Sequence, residues 1–111
     1  MKRIVFEEYD TVGESRGVRW FDADKAEKFN EDTYWDGNNH ISKATGSQWE
    51  HETLYRTASG RFLVLSASQW QGTRDSWREI QKTEAVSWLM QNGHEEEAER
   101  ISAEAVAALE A

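Results

Sequence analysis

The sequence contains no cysteine, no proline and no long hydrophobic run. The lack of cysteine excludes disulfide bonds, thiolate catalysis and cysteine-ligated zinc, and it fits the cytoplasm that we expect as the location. Because no proline-rich linker divides the chain, its 111 residues predict a single domain over 1–111. No apolar stretch approaches the roughly 20 residues that a membrane helix needs, and no signal-peptide core follows Met1, so we expect no membrane contact.

The motifs of common enzymes are also missing. The chain has neither a G-x-G-x-x-G nor a Walker lysine pattern for nucleotides, and it has no G-x-S-x-G elbow. Its histidines, at positions 40, 51 and 94, are too scattered to show a metal-ligand spacing. We therefore predict that the protein is not an enzyme and has no catalytic residues, no metal site and no cofactor.

Aromatic residues offset a low hydrophobic content. Only 38% of the residues are hydrophobic, but these include 6 Trp, 4 Phe and 3 Tyr. Each buried ring removes a large apolar area from water, so a few rings can form a small core. The charged fraction of 31% is typical of disordered chains as well, but such chains are poor in aromatic residues. The composition therefore predicts a globular domain.

Acidic residues dominate the charge, with 21 Asp and Glu against 13 Lys and Arg. Residues 1–53 carry 12 acids and 7 bases, residues 54–83 carry 2 and 5, and residues 84–111 carry 7 and 1. This balance disfavours direct nucleic-acid binding, which needs clustered bases to replace counterions. It favours a protein partner with a basic surface, because opposite fields speed encounter. Excess carboxylate also keeps a protein soluble, with no partner involved.

Local patterns predict an α+β fold: a small antiparallel sheet of three to five strands with two or three helices packed on one face. In chain order we predict a strand over 3–9, a strand over 18–21, a helix over 23–30 capped by Asp22, a long loop over 31–52, a hairpin of 52–57 and 61–68, a strand over 77–80, and helices over 83–92 and 95–110. The continuous apolar run 62–65 is typical of a central strand that is buried on both faces. The last helix lies in an acidic segment, 94–111, that we expect to be semi-independent.

Aromatic and basic side chains supply the candidate binding residues. Trp20 and Trp88 fit the core, whereas Trp70 lies in a polar loop and is equally compatible with a partner anchor and with the edge of the core. For the remaining loop tryptophans, at 35 and 49, we favour the edge of the core. Arg56, Arg61, Arg74 and Arg78 match an anion site, although nearby carboxylates (Glu50, Glu52, Asp75 and Glu79) make ion pairing the simpler interpretation.

One stretch of the chain resembles known sequences. Leu54-Tyr55-Arg56-Thr57, Gly60-Arg61-Phe62, Ser68-Gln69-Trp70-Gln71-Gly72, Glu84-Ala85 and Trp88-Leu89 together resemble a loose group of small uncharacterised proteins from bacteria, phages and other mobile elements. The resemblance covers residues 50–94. It implies a compact α+β domain in a mobile-element setting, and it implies no activity.

The leading hypothesis from the sequence is a non-enzymatic, acidic interaction module, a monomer or homodimer, that regulates or inhibits a partner with a basic surface. Nucleic-acid mimicry of an anti-defence type is one variety of it. The predicted partner-binding residues are Trp70, Gln69, Gln71, Asp22, Asp24, Glu95, Glu96 and Glu97. The alternative is a small-ligand or nucleic-acid binding domain that uses Arg56, Arg61, Arg74 and Trp70.

Overall fold

The computed structural model describes residues 1–69, 72 and 74–111 and has an α+β fold, which confirms the predicted class. The strands of the described residues are β1 (Arg3–Tyr9), β2 (Ser15–Asp22), β3 (Glu27–Asn30), β4 (Thr33–Trp35), β5 (His40–Ser42), β6 (Glu50–Arg56), β7 (Phe62–Ser68) and β8 (Ser76–Ile80). The helices are α1 (Lys82–Gln91) and α2 (Glu95–Ala107). Eight strands exceed the three to five predicted.

The strands form three antiparallel groups. The main sheet has four strands in the order β3-β6-β7-β8, while β1 pairs with β2 and β4 pairs with β5 as separate hairpins. The predicted hairpin of residues 52–68 is confirmed as β6 and β7, with Gly60 at a φ of 87° in the turn. A positive φ costs glycine little, which explains why glycine occupies this position.

Strand β7 is the centre of the molecule and is covered on both faces. Because successive side chains of a strand point to opposite faces, Phe62 and Val64 contact the helices while Leu63 contacts the β1–β2 hairpin. All three side chains are buried, as the prediction of a central strand requires. The protein therefore has three layers: the β1–β2 hairpin, the main sheet, and the two helices.

The helix layer packs through a stripe of apolar residues. Ala85, Trp88 and Leu89 of α1 are buried against the sheet, which confirms the predicted place of Trp88 in the core. Helix α2 docks through Ala98, which has no exposed surface. It ends earlier than predicted and is kinked at Ser102 (φ −162°, ψ 98°), whose Oγ accepts the Ala105 N–H at 3.1 Å.

The hairpin layer packs through aromatic rings. Phe21 of β2 lies 6.2 Å from Phe6, 6.1 Å from Tyr55 and 5.4 Å from Trp77, measured between ring centroids. Such tilted and edge-to-face pairs are the favoured aromatic geometries. Strand β1 has the predicted bounds, whereas β2 is longer than the predicted 18–21 because its pairing with β1 extends to Ser15.

The predicted helix over 23–30 is wrong. Asp22 does act as an N-cap, with its Oδ1 accepting the Asp24 N–H at 3.0 Å, but the helix is a single 3₁₀ turn, Ala23–Lys25. The chain then enters β3, where Phe29 is buried opposite Leu54. An isolated helix of eight residues is unstable in water, and pairing with β6 satisfies the backbone while it still buries the Phe29 ring.

The long loop with fragments of order that we predict over 31–52 is more ordered than expected. The segment contains the β4–β5 hairpin and the start of β6. In the turn between β4 and β5, Asp36 Oδ1 accepts the N–H groups of Asn39 (2.7 Å) and Asn38 (2.8 Å), which lowers the pKa of Asp36. This turn closes the hairpin, so the same polar residues that suggested a loop shape a pair of strands.

Candidate interaction surfaces

The first candidate surface is the outer side of α2. Because Ala98, Ile101 and Ala105 face the core, the carboxylates of the helix point away from it. Glu95 and Glu96 are exposed, and the Glu96 side chain keeps 92% of its surface in water. Three further carboxylates lie along the same helix, from Glu97, Glu99 and, beyond the kink at Ser102, Glu104. We call these five residues the acidic face of α2.

Few basic side chains neutralise this acidic face. Arg100 is the single basic residue of α2, and its Nη1 lies 2.9 Å from Glu97 Oε1. The positive end of the helix dipole stabilises the carboxylates of the first turn, so they can gather there at small cost. The predicted residues Glu95, Glu96 and Glu97 therefore do lie together on one accessible surface.

Asp22 and Asp24 lie elsewhere. Asp22 Oδ1 accepts the backbone N–H groups of Asp24 (3.0 Å) and Lys2 (3.2 Å), which makes it a local structural residue. Asp24 lies 3.4 Å from the N-terminal ammonium of Met1. Asp22 is the last residue of β2 and Asp24 comes just after it, so both lie at the hairpin layer. Helix α2 belongs to the helix layer on the opposite face of the sheet. The structure thus does not unite the two predicted acidic groups in one surface.

The predicted glutamine and tryptophan contacts are only partly described. Trp70 and Gln71 lie outside the described residues, so their role as partner contacts stays a prediction. Gln69 is exposed at the end of β7, and its N–H donates to the Trp49 carbonyl at 2.9 Å.

Most of the candidate arginines are ion-paired. Arg61 Nε lies 2.7 Å from Glu79 Oε2, and its Nη2 also bonds Glu8. These bonds, with the Glu79 contact first, raise the pKa of Arg61. Arg56 Nη1 lies 3.5 Å from Glu27. The sequence identified Glu79 as a partner but missed Glu8 and Glu27, because their strands are distant along the chain.

Arg74 and Arg78 differ from one another. Arg78 pairs with Glu84 at 3.3 Å. Arg74 is exposed and lines a shallow cavity of about 260 Å³ together with hydroxyl and carboxylate side chains: Thr45, Ser66, Ser68, Ser76, Glu50 and Glu52. The structure therefore does not gather the four arginines into one anion site.

The second candidate surface was not found from sequence. Trp20 was expected in the core, but 54% of its surface is exposed on the outer face of the β1–β2 hairpin. It lies opposite Val5, and Val18 lies opposite Glu7, with Val5 and Val18 themselves 56% and 74% exposed. The Arg3 guanidinium lies 4.4 Å from the Trp20 ring centroid. Because successive side chains of a strand point to opposite faces, Trp20 and Phe21 must lie on different faces of β2. The sequence does not show which of these faces is buried.

A buried polar cluster joins the β4–β5 hairpin to the main sheet. Glu31 accepts hydrogen bonds from the Ser42 hydroxyl (2.9 Å) and the Glu52 N–H (2.6 Å), and it lies 2.7 Å from His51 Nδ1. Its side chain is only 12% exposed. The Glu31 carboxylate thus accepts the Glu52 N–H of β6 at a point where β3 has ended and supplies no backbone carbonyl. His51 Nε2 is buried and has no hydrogen-bond partner within the described residues.

Two other kinds of site are absent from the described part of the chain. No three side chains of His, Asp or Glu come together there as a metal site. No helix there is long and apolar enough to cross a membrane. The hydrogen bonds of Glu31 to Ser42 and Glu52 make this cluster a structural junction between two hairpins.

Comparisons with known proteins give no family for this chain. No protein-family model, no curated protein and no solved structure matches it. Function therefore has to be argued from the chemistry of its own surfaces.

Proposed function

We propose that this protein is a non-enzymatic interaction module that binds a cytoplasmic protein with a basic surface. The observation that carries the proposal is the acidic face of α2, where carboxylates are exposed along one helix and Arg100 is the single base. A net charge of −8 extends the same field over the whole molecule. Such a field accelerates association with a basic partner and repels nucleic acid.

The acidic face also supports a more specific form of this proposal. Glu95 and Glu99, one turn apart before the kink, place negative charges side by side, as neighbouring phosphates of a nucleic-acid strand are. In the mobile-element setting that the sequence resemblance implies, the partner is a nucleic-acid-binding protein that the module inhibits. Only α2 contributes to this mimicry, because Asp22 and Asp24 belong to another layer.

The alternative, an anion or nucleic-acid site built from arginines, has less support. Arg61 is neutralised by Glu79 and Glu8, and Arg56 lies beside Glu27. An arginine that is already paired has to break its ion pair before it can bind a phosphate, which weakens any such site.

Affinity capture from a bacterial lysate tests the proposal. The partner should be retained at about 0.05 M salt and lost near 0.5 M, because exposed charges are screened as the Debye length shrinks. The double variant Glu95→Lys/Glu96→Lys should reduce capture about tenfold or more, since rim charges set the association rate.

The matched control is Glu14→Lys/Glu50→Lys, which makes the same change in net charge within the β1–β2 turn and β6. Capture by this control should stay close to that of the wild type. If retention does not depend on salt, or if both double variants lose the partner equally, the acidic face of α2 is not the contact surface.

A further inference from the structure

A groove lies beside the second half of α2. Its volume is about 500 Å³, and its apolar lining comes from α1, from α2 and from the turn after α2: Met90, Ala103, Val106, Ala107 and Leu109. Leu109 is 50% exposed, while Met90 and Val106 keep part of their surface exposed although they pack against the core. The alanine side chains are too small to fill the space between these larger ones, which leaves an open apolar floor. We call this feature the α1–α2 groove.

Two carboxylates also border the α1–α2 groove. Glu99 and Glu110 both line it, and both are exposed. Glu99 precedes the apolar lining residues of α2 along the chain, and Glu110 follows them in a turn where its N–H donates to the Ala107 carbonyl at 3.2 Å. The apolar floor therefore has a negative charge on each side along the chain.

Neither of these carboxylates has an ion pair within the described residues. Arg100, the single basic residue of α2, pairs with Glu97 at 2.9 Å and with Glu96 at 3.9 Å instead. The last turn of α2 carries no basic side chain either, although the negative end of the helix dipole favours a cation there and disfavours the carboxylate of Glu110. A cation bound in the groove would therefore meet charges that nothing in this part of the chain compensates.

The combination of floor and charges selects the kind of chain that the groove can bind. An uncharged apolar segment would bury the carboxylates next to apolar groups without any partner, which is costly. A second copy of this chain would add a net charge of −8 to a groove that is already negative. Lysine and arginine, in contrast, carry a cation on an apolar methylene stem, so they match both the carboxylates and the floor.

We propose that the α1–α2 groove binds a short segment of the basic partner in which two arginine or lysine residues flank an apolar side chain. The apolar side chain packs on Met90 and Val106, and the two cations pair with Glu99 and Glu110. This inference rests on the proposed function, because it assigns a binding mode to the same basic partner. The groove adds an apolar contact to the acidic face of α2, so recognition depends on the sequence of the partner as well as on its charge.

The two methionines of the chain allow a direct test by NMR. Met1 and Met90 are the only ones, so isotope labelling of methionine methyl groups gives two signals. Titration with a five-residue peptide that has arginine at both ends and leucine in the middle should shift the Met90 signal. Met1, which is 76% exposed next to β1, is the internal control, and its signal should not move.

Matched peptides and variants separate the apolar contact from the charges. Replacing the central leucine of the peptide by serine keeps both cations and should weaken binding about tenfold, because the apolar contact is lost. Glu99→Gln/Glu110→Gln should weaken binding of the leucine peptide about fivefold, as expected for two exposed ion pairs. The control Glu14→Gln/Glu50→Gln makes the same change in net charge elsewhere and should bind like the wild type.

Three results would overturn the inference. If the peptide shifts the backbone amide signals of Glu95 and Glu96 but not the Met90 methyl signal, basic segments bind outside the groove, and the proposed function stands without this binding mode. If a peptide with glutamine at both ends shifts Met90 equally, the occupant is an uncharged segment. If raising the protein concentration alone shifts Met90, the occupant is a second copy. Salt-dependent capture of the partner decides the proposed function separately.

Discussion

At the scale of single residues, Glu8 connects the hairpin layer to the sheet. Its carboxylate lies 3.1 Å from Arg19 of β2 and also bonds Arg61, while only 13% of the side chain is exposed. The hydrogen bonds from Arg61, and secondarily from Arg19, lower the pKa of Glu8. The folded state therefore binds a proton at Glu8 less readily than the unfolded chain does.

This shift predicts a pH dependence of stability. A carboxylate with a lowered folded-state pKa stabilises the fold fully above its unfolded value, about 4.3 for Glu, and loses that contribution as the pH falls through the folded value. Glu8→Gln should therefore be less stable than the wild type at pH 7, and the difference should shrink at about pH 3. Urea unfolding at both pH values measures it.

Glu14→Gln is the control for this prediction, because Glu14 lies in the β1–β2 turn and only its backbone makes hydrogen bonds there. Its stability should match the wild type at both pH values. A Glu8→Gln variant with the same deficit at pH 3 as at pH 7 would show that the loss comes from packing and not from charge.

Residue-level sequence prediction succeeds where the relevant contact is local. Arg61 directly precedes β7 and Glu79 lies on the next strand, β8, so their ion pair joins segments that are close along the chain. Trp88 is buried because it lies on the apolar face of α1. Glu8 and Glu31 could not be identified, because their partners come from remote segments. Trp20 was misplaced because alternation fixes which residues share a face and not which face is covered.

At the scale of elements, α2 combines tight docking with an irregular backbone. Ala98 is fully buried against the core, but the kink at Ser102 interrupts the helix after two turns. Beyond the kink, Leu109 is 50% exposed. Docking is therefore tightest in the first half of the helix, while Ala105 and Val106 beyond the kink pack against the core with part of their surface exposed.

Ala98→Leu tests how firmly α2 docks. Both residues favour helix, so the change adds volume without altering propensity. If the helix is fixed against the sheet, overpacking should destabilise the protein by about 1–3 kcal/mol in urea unfolding. Ala103→Leu, at an exposed position of the same helix, should stay within about 0.5 kcal/mol of the wild type. Equal stability of the two variants would instead support the predicted semi-independence of residues 94–111.

Element-level prediction followed the density of local signals. The β6–β7 hairpin and α1 carry turn glycines and clear periodicity, and both were located to within about two residues. Strand β3 was mistaken for a helix because its four residues acquire strand structure only through pairing with β6. The β4–β5 hairpin was missed because its three-residue strands are too short to show alternation.

At the scale of the whole molecule, the two clusters of buried side chains are separated only by the sheet. Leu63 belongs to the cluster on the hairpin side and its neighbours Phe62 and Val64 to the cluster on the helix side. A substitution that destabilises one cluster should therefore also destabilise the other, as expected of the single domain that the sequence predicts.

Phe21→Ala tests this cooperativity. Phe21 is 6% exposed among Phe6, Tyr55 and Trp77, so its removal should cost about 3–5 kcal/mol. Unfolding followed by tryptophan fluorescence and by far-UV circular dichroism should give coincident transitions. Val12→Ala, at a site 79% exposed, is the control and should change little. Two separated transitions in Phe21→Ala would mean that the hairpin layer unfolds on its own.

The layered arrangement has a consequence for synthesis on the ribosome. The two coverings of the sheet come from opposite ends of the chain, residues 3–22 and residues 82–107, while the sheet lies between them in sequence. The hairpin is translated first, but its packing partners in β6 to β8 follow only later. The other face of β7 then stays uncovered until both helices have emerged. In a nascent chain, Phe62 and Val64 therefore stay uncovered from their own synthesis until residues 82–107 have followed them.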